Sequence, residues 1–287
     1  MGTQIQVVLL GSATLLIQQG LSESLMGRYE MHHLWHWSYA EMKQSFDWTP
    51  EQYVWFGGYP GSAALVGNVA RWKSYIRNSL IEASLSKDVL SMARIHKPAV
   101  LRRLFELGCA YSSQVVSYGK MLGQLDDAGN TTTLASYLEL LNAAGLLGGL
   151  EKYAGTAIRK RSSSPKFQVH NNALMTATRS ETFAQVQAKP EIWGRFVESA
   201  IGTHLLGESK RLGFDLGYWK QGDAEVDFVV TKDGKAVGIE VKSNAAKRTV
   251  GMELFKKAHP QAKVILVGGA GISWQEFLTM DVGVVFE

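Results

Sequence analysis

Two carboxylates and a lysine occupy positions from which they could do chemistry. The stretch AEVDFVVTKDGKAVGIEVKS, residues 224–243, holds Asp233-Gly234 between two alternating runs. That pattern predicts a β-hairpin closed by a type I′ turn. Lys232 then faces Lys235, and counting back along the ladder sets Asp227 opposite Glu240 and Glu225 opposite Lys242. Strict alternation puts Val226, Phe228, Val230, Val237, Ile239 and Val241 on one face, the core face. Glu225, Asp227, Glu240 and Lys242 share the other with Val229 and Gly238. Opposed carboxylates with β-carbons about 5 Å apart repel by roughly 3 kcal/mol at an effective dielectric of about 20. A divalent cation, Mg²⁺ or Mn²⁺, would offset that repulsion, because such ions are held by one or two carboxylates plus water and phosphate oxygens. Lys242 would then orient or deprotonate a metal-bound water, or stabilise charge developing on a phosphorane. The plainer reading of the same spacing is a surface hairpin whose acids splay into water, with Lys242 paired to either.

These residues must be positioned by a scaffold. A chain of 287 residues suggests about two domains. With 46% hydrophobic and 20% charged residues, wholesale disorder and a collagen-like or disulfide-dense fold are excluded. The single cysteine, Cys109, cannot form an intramolecular disulfide, so a reducing, cytoplasmic setting is expected and Cys109 reads as core. The net charge of +4 permits nucleic acid or an acidic partner without establishing either. No apolar run approaches the roughly 20 residues of a membrane span. The opening MGTQIQVVLLGSATLLIQQG lacks a basic n-region and reads as a buried strand, Gln4–Leu10, followed by a turn. A parallel strand so close to Met1 needs neighbours, so part of an N-terminal domain is expected to be missing.

Three segments of a mixed α/β chain are expected, at residues 1–96, 97–178 and 179–287. The first is rich in tryptophan (Trp35, Trp37, Trp48, Trp55, Trp72), suited to core packing. Its His32, His33 and His36 have no second ligand cluster and read as structural rather than zinc-binding. In the second, Pro98–Leu107 is amphipathic, Ser112 and Ser113 can cap a helix running to Leu122, and Asn130 or Thr131 can cap a third that Gly148 and Gly149 end. Strands at Leu150–Tyr153 and Phe167–His170 flank a basic loop carrying Arg159, Lys160, Arg161 and Lys166. Three helices and a basic hairpin describe a winged helix-turn-helix. The loop suits largely non-specific phosphate contact, and Glu139 argues against base reading by the recognition helix. In the third, Pro190 opens a helix to about Arg211. Strands follow at Tyr218–Lys220, in the hairpin, at Lys263–Val267 and at Val282–Phe286, with a helix at Glu253–Ala258. Lys247, Arg248, Lys256 and Lys257 could form a basic rim.

Asp227 followed by Glu240-Val241-Lys242 resembles the PD-(D/E)xK nuclease superfamily, with its restriction-endonuclease-like α/β fold. The resemblance implies that the Asp and Glu hold Mg²⁺ and the Lys assists hydrolysis. Members often add an acid on the preceding helix, and Glu198 in GRFVESAIGTHLL takes that place, implying support of a second ion or a water. On residues alone, Glu198 flanks the apolar stripe Trp193–Val197–Ile201–Leu205 and could simply be solvated. Val226 stands where the family name has Pro.

A longer series resembles prokaryotic AAA-type ATPases that end in the domain of unknown function 4143. It runs VVLLGSATLL, SLMGR, FGGYP, KDV, NTTTLASYLELLNAAGLL, SPKFQVHNNAL, GRFVESAI, YWKQGDAEVDFVV and GIEVKS. This implies a truncated AAA remnant with Ser12 and Arg28 as vestigial ATPase positions, and ATP only in full-length members. No GxxxxGK[ST] occurs, so the chain is expected not to hydrolyse ATP alone. The family usually has an acid near the end of the wing strand, where His170-Asn171-Asn172 stands here. Two functions are therefore expected. One is metal-dependent DNA hydrolysis by Glu198, Asp227, Glu240 and Lys242. The other is a non-catalytic module binding nucleic acid, a partner protein or a second copy in the service of the ATPase.

Overall fold

The computed structural model describes residues 7–8, 28–30, 32–89, 95–127, 129–155, 158–159, 164–243 and 250–287. Helices α1 (Tyr39–Phe46) and α2 (Pro50–Phe56) each begin with a reciprocal capping box, Ser38 with Glu41 and Thr49 with Gln52. A 3₁₀ turn (Pro60–Leu65) leads to α3 (Val69–Tyr75), which continues into π-helical turns at Ile76–Ile81 and Ser84–Val89. Helix α4 (Pro98–Ala110) starts on its proline. Ser112 and Ser113 do not cap the next helix. Ser113 adopts φ 67° and its N–H donates to Phe167 O, so the chain turns there, and Ser117 caps α5 (Tyr118–Leu122) instead. Asn130 caps α6 (Thr131–Ala143), accepting from Thr133 N. That helix ends at Ala144 and Gly145 (φ 71°), not at Gly148 and Gly149. Those two glycines lie inside β1 (Leu147–Tyr153), where an added Cβ would sit 2.7 Å from Asn142 Oδ1 or 2.8 Å from Leu138 and Pro165. They permit close approach rather than termination.

The remaining strands are β2 (Ile158–Arg159), β3 (Lys166–Val169), β4 (Asp215–Gln221), β5 (Ala224–Lys232), β6 (Lys235–Lys242) and β7 (Lys263–Gly268). The sheet order is β2-β1-β4-β5-β6-β7, and β3 runs antiparallel to the first half of β1. The β1–β4 and β6–β7 pairs are parallel. Helices α7 (Asn172–Thr178) and α8 (Phe183–Gln187) precede the long α9 (Pro190–Leu212), with α10 (Val250–Ala258) and α11 (Trp274–Phe277) completing the chain's helices among the described residues. Val282–Phe286, expected as a strand, is a 3₁₀ turn: Asp281 accepts from Gly283 N and starts it.

One apolar core runs from Tyr39 to Phe286 and includes Trp48, Trp55, Trp72 and Cys109. A smaller cluster of Tyr153, Trp219, Val226, Val229, Phe255 and Ala262 lies where α10 covers the sheet. Of the expected strand Gln4–Leu10, the described Val7 and Val8 are exposed and in no strand. No described helix is long and apolar enough to cross a membrane.

Candidate functional site

The hairpin forms as its turn dictates. Asp233 and Gly234 adopt φ 49° and 76°, as a type I′ turn requires, and the register runs from Lys232↔Lys235 to Phe228↔Ile239. Strict alternation fails at Asp227. On the other edge of β5, Gly217 pairs with Val229 but Trp219 pairs with Val226, so Asp227 and Phe228 together span Tyr218. This β-bulge shifts the face of everything before it. Val226 therefore joins Val229 in the smaller cluster, while Phe228 and Val230 stay in the main core, correcting the expected shared face. Asp227 turns to the side of Phe228, and its Oδ2 accepts from Val241 N at 2.8 Å in place of a ladder bond.

The bulge delivers Asp227 to a buried cation. Lys166, the first residue of β3, is 0% exposed. Its Nζ lies 2.7 Å from Glu198 Oε1, 3.2 Å from Glu225 Oε1 and 3.3 Å from Asp227 Oδ1. It also donates to Asp227 O at 3.0 Å and sits 5.0 Å from the Phe228 ring centroid. Lys220 Nζ approaches the other oxygen of Glu225 at 2.9 Å, and Lys242 Nζ is 2.8 Å from buried Glu240.

Burial alone would lower the Lys166 pKa, but Glu198, Asp227 and Glu225 reverse this and hold it protonated. Burial, then Asp227, push the Glu198 carboxyl up to about 8, against the opposing pull of Lys166. Lys242 is likewise raised: burial is outweighed by Glu240, Asp227 and Glu198. Lys242 thus feels Asp227, Glu240 and Glu198, but the hairpin pairing runs only as far as Phe228↔Ile239, and the bulge takes Asp227 out of the expected pairing with Glu240. Lys166, expected among the phosphate-contacting residues, is instead buried and directed inward to three acids. KFQV is buried at all four positions, as a wing tip would not be, and no local signal marks this, because the partners of Lys166 come from distant elements.

The nuclease resemblance implies Mg²⁺ or Mn²⁺. Among the described residues, no group of three or more His, Cys, Asp or Glu side chains is placed to hold a metal ion. An ammonium within 2.7–3.3 Å of three acidic side chains already offsets part of their charge. A divalent ion placed there would meet it as like charge against like. The residues as arranged do not fit the metal.

The other candidates are dispersed. Arg28 is exposed, and Arg159 contributes backbone pairing to Lys152. Ser12, Lys160, Arg161, Lys247 and Arg248 lie outside the described residues. His36 Nε2 bonds Gly145 O at 3.1 Å, and burial lowers its pKa. At the end of β3, burial chiefly, then His36 and Lys210, lower His170 to about 3, keeping it neutral beside Asn142 Oδ1. Asn171 Oδ1 accepts from Gly58 N and Ala173 N, and Asn172 Nδ2 donates to Val54 O and Phe196 O.

Residues 48–184 match a family model described as a domain of unknown function (DUF8612), and residues 193–279 match a second such domain (DUF4143). Lys166 falls in the first matched segment, and Glu198, Glu225 and Asp227 in the second. No curated protein and no solved structure matches the chain.

Proposed function

We propose that this chain is the C-terminal region of an AAA-ATPase-associated protein, and that its nuclease-like sheet is a binding module that does not hydrolyse phosphodiesters. The match of residues 193–279 to DUF4143, a domain typically found at the C-terminus of such proteins, supports the first half. The second half is carried by Lys166, whose ammonium stands among Glu198, Glu225 and Asp227, where hydrolysis would need a divalent ion. In this reading the three helices before β1 and the β1–β3 pair act as a winged helix. Arg159, Lys160 and Arg161 supply phosphate contacts, and binding is non-specific and salt-sensitive.

A second reading, metal-dependent DNA hydrolysis, is favoured by the electrostatic proximity of Lys242 to Asp227, Glu240 and Glu198. It requires Lys166 to withdraw.

Calorimetry with Mg²⁺ and Mn²⁺, gel retardation and a cleavage assay on mixed DNA separate the two. The expected result is no metal uptake at neutral pH, no cleavage, and retardation of duplex DNA that weakens with salt. Mg²⁺-dependent cleavage that Asp227→Ala abolishes would replace the binding reading with the hydrolytic one. Absence of DNA retardation would reassign the module to a protein partner.

A further inference from the structure

We infer that Lys166 takes the place of the divalent metal ion that the nuclease resemblance implies for these acids, and that it pins strand β3 to helix α9 and strand β5. The inference rests on the non-hydrolytic reading above and says what the gathered acids are for.

Lysine is almost never fully buried unless paired, and Lys166 is buried completely. Four oxygens surround its nitrogen at 2.7–3.3 Å: one each from Glu198 and Glu225, and the carboxylate and backbone carbonyl of Asp227. Carboxylates plus a backbone carbonyl form the donor set of a hard cation. Glu225 and Asp227 on β5, joined by Glu198 on α9 whenever it is ionised, would repel one another without a positive charge between them. The bulge at Asp227–Phe228 turns Asp227 to the side of Lys166, so the strand's irregularity serves this contact.

The lysine's own backbone is fixed independently. Lys166 pairs with Leu150 of β1 and bridges Val115. Its side chain therefore spans from the β1–β3 pair to the α9–β5 unit, joining the two matched segments through one ion cluster. A metal ion could also offset the charge of the acids and join β5 to α9, but it would not tether β3. That difference accounts for a covalently attached cation.

Mn²⁺ is the probe. The wild-type chain, Lys166→Ala and Lys166→Met are titrated by calorimetry and by electron paramagnetic resonance of free Mn²⁺, with thermal melts in Mn²⁺ and in EDTA. Wild type is expected to take up no Mn²⁺ in the millimolar range. Lys166→Ala, which opens space, is expected to bind one Mn²⁺ at least about tenfold more tightly than wild type and to melt higher in Mn²⁺ than in EDTA. Lys166→Met, which fills the space, should gain neither property, and Asp227→Asn should remove both from the Lys166→Ala protein.

If Lys166→Ala does not fold in EDTA, recovery of its circular dichroism signal on adding Mn²⁺ supports the inference. Absence of recovery overturns it, as does a folded Lys166→Ala that ignores Mn²⁺. Uptake by wild type as tight as by Lys166→Ala would overturn the non-hydrolytic reading too, so the two failures are told apart.

Discussion

The two ends of strand β3 are equally inaccessible to water and solve opposite problems. Lys166 at the start carries a full charge at 0% exposure, while His170, Asn171 and Asn172 beyond the end carry none at 2%, 0% and 2%. The start is an ionic cluster. The end is a set of neutral bonds that serve a neighbouring helix. The last carbonyls of α2 have no intrahelical partner. Asn172 Nδ2 donates to Val54 O at 2.8 Å and Thr176 Oγ1 to Trp55 O at 2.5 Å, supplying what is missing. A charge is tolerated in this core only where other elements bring counter-charges to it. Elsewhere, amides and a neutral imidazole do the same joining work.

The comparison breaks most decisively at Asp227. Asp227→Ala removes a carboxylate and leaves Lys166 and Val241 N each short of an acceptor. Removing one partner of a buried ion cluster costs about 3–5 kcal/mol. Asn172→Ala removes two neutral bonds and should cost about 1–3 kcal/mol. Urea unfolding of both variants measures the difference. Equal losses would mean that the ionic end is no more than another hydrogen-bonded joint.

The pH dependence sharpens the same contrast, because the two ends respond with opposite sign. Glu198 is raised from an ordinary 4.5 to about 8, so the folded state keeps a proton that the unfolded state releases. Its contribution is full below pH 4.5 and is lost as pH rises through about 8. Lys166, itself raised, stays charged throughout that window. His170 is lowered from 6.5 to about 3, so its contribution is full above 6.5 and is lost as pH falls through about 3. Denaturation across pH should show Glu198→Gln flattening the fall in stability as pH rises from 4.5 to about 8 and His170→Gln flattening the fall as pH drops from 6.5 to about 3, each by roughly 1–3 kcal/mol across its window. If both variants changed the same limb, the assignment of charge to one end and neutrality to the other would be wrong.

How much of this was legible depends on how local the signal was. Asp233-Gly234 set the hairpin register, Asn130 marked the start of α6, and Pro190 opened α9, because caps and turns act within a few residues. The hairpin register singles out Asp227, Glu240 and Lys242, whereas Glu198 is singled out only by the resemblance to the nuclease superfamily. The bulge could not be read, because it is set by how β5 pairs with β4 rather than by anything in AEVDFVV. Lys166 was hidden similarly. It neighbours a basic loop in sequence, while its partners come from α9 and β5. Val282–Phe286 has the composition of a strand but follows Asp281, whose side chain starts a turn that composition does not report.

The smallest expected effect lies inside β3, at Gln168, fully buried between the two ends. Its Nε2 donates to Val169 O and Ser199 O, each at 2.9 Å, but its Oε1 has no hydrogen-bond partner among the described residues. That oxygen lies against Gly202, where an added Cβ would come within 2.2 Å of it. Gln168→Met keeps the volume and removes an unsatisfied acceptor together with the donors. The two effects oppose each other, and the net loss should stay below about 1 kcal/mol. Urea unfolding tests this beside Asn172→Ala. A loss as large as at Asn172 would show that any buried polar group along β3 matters equally. A small one means that stability depends on how completely each group's partners are supplied, and by that measure Lys166, with four oxygens around one nitrogen, is the best supplied of the three.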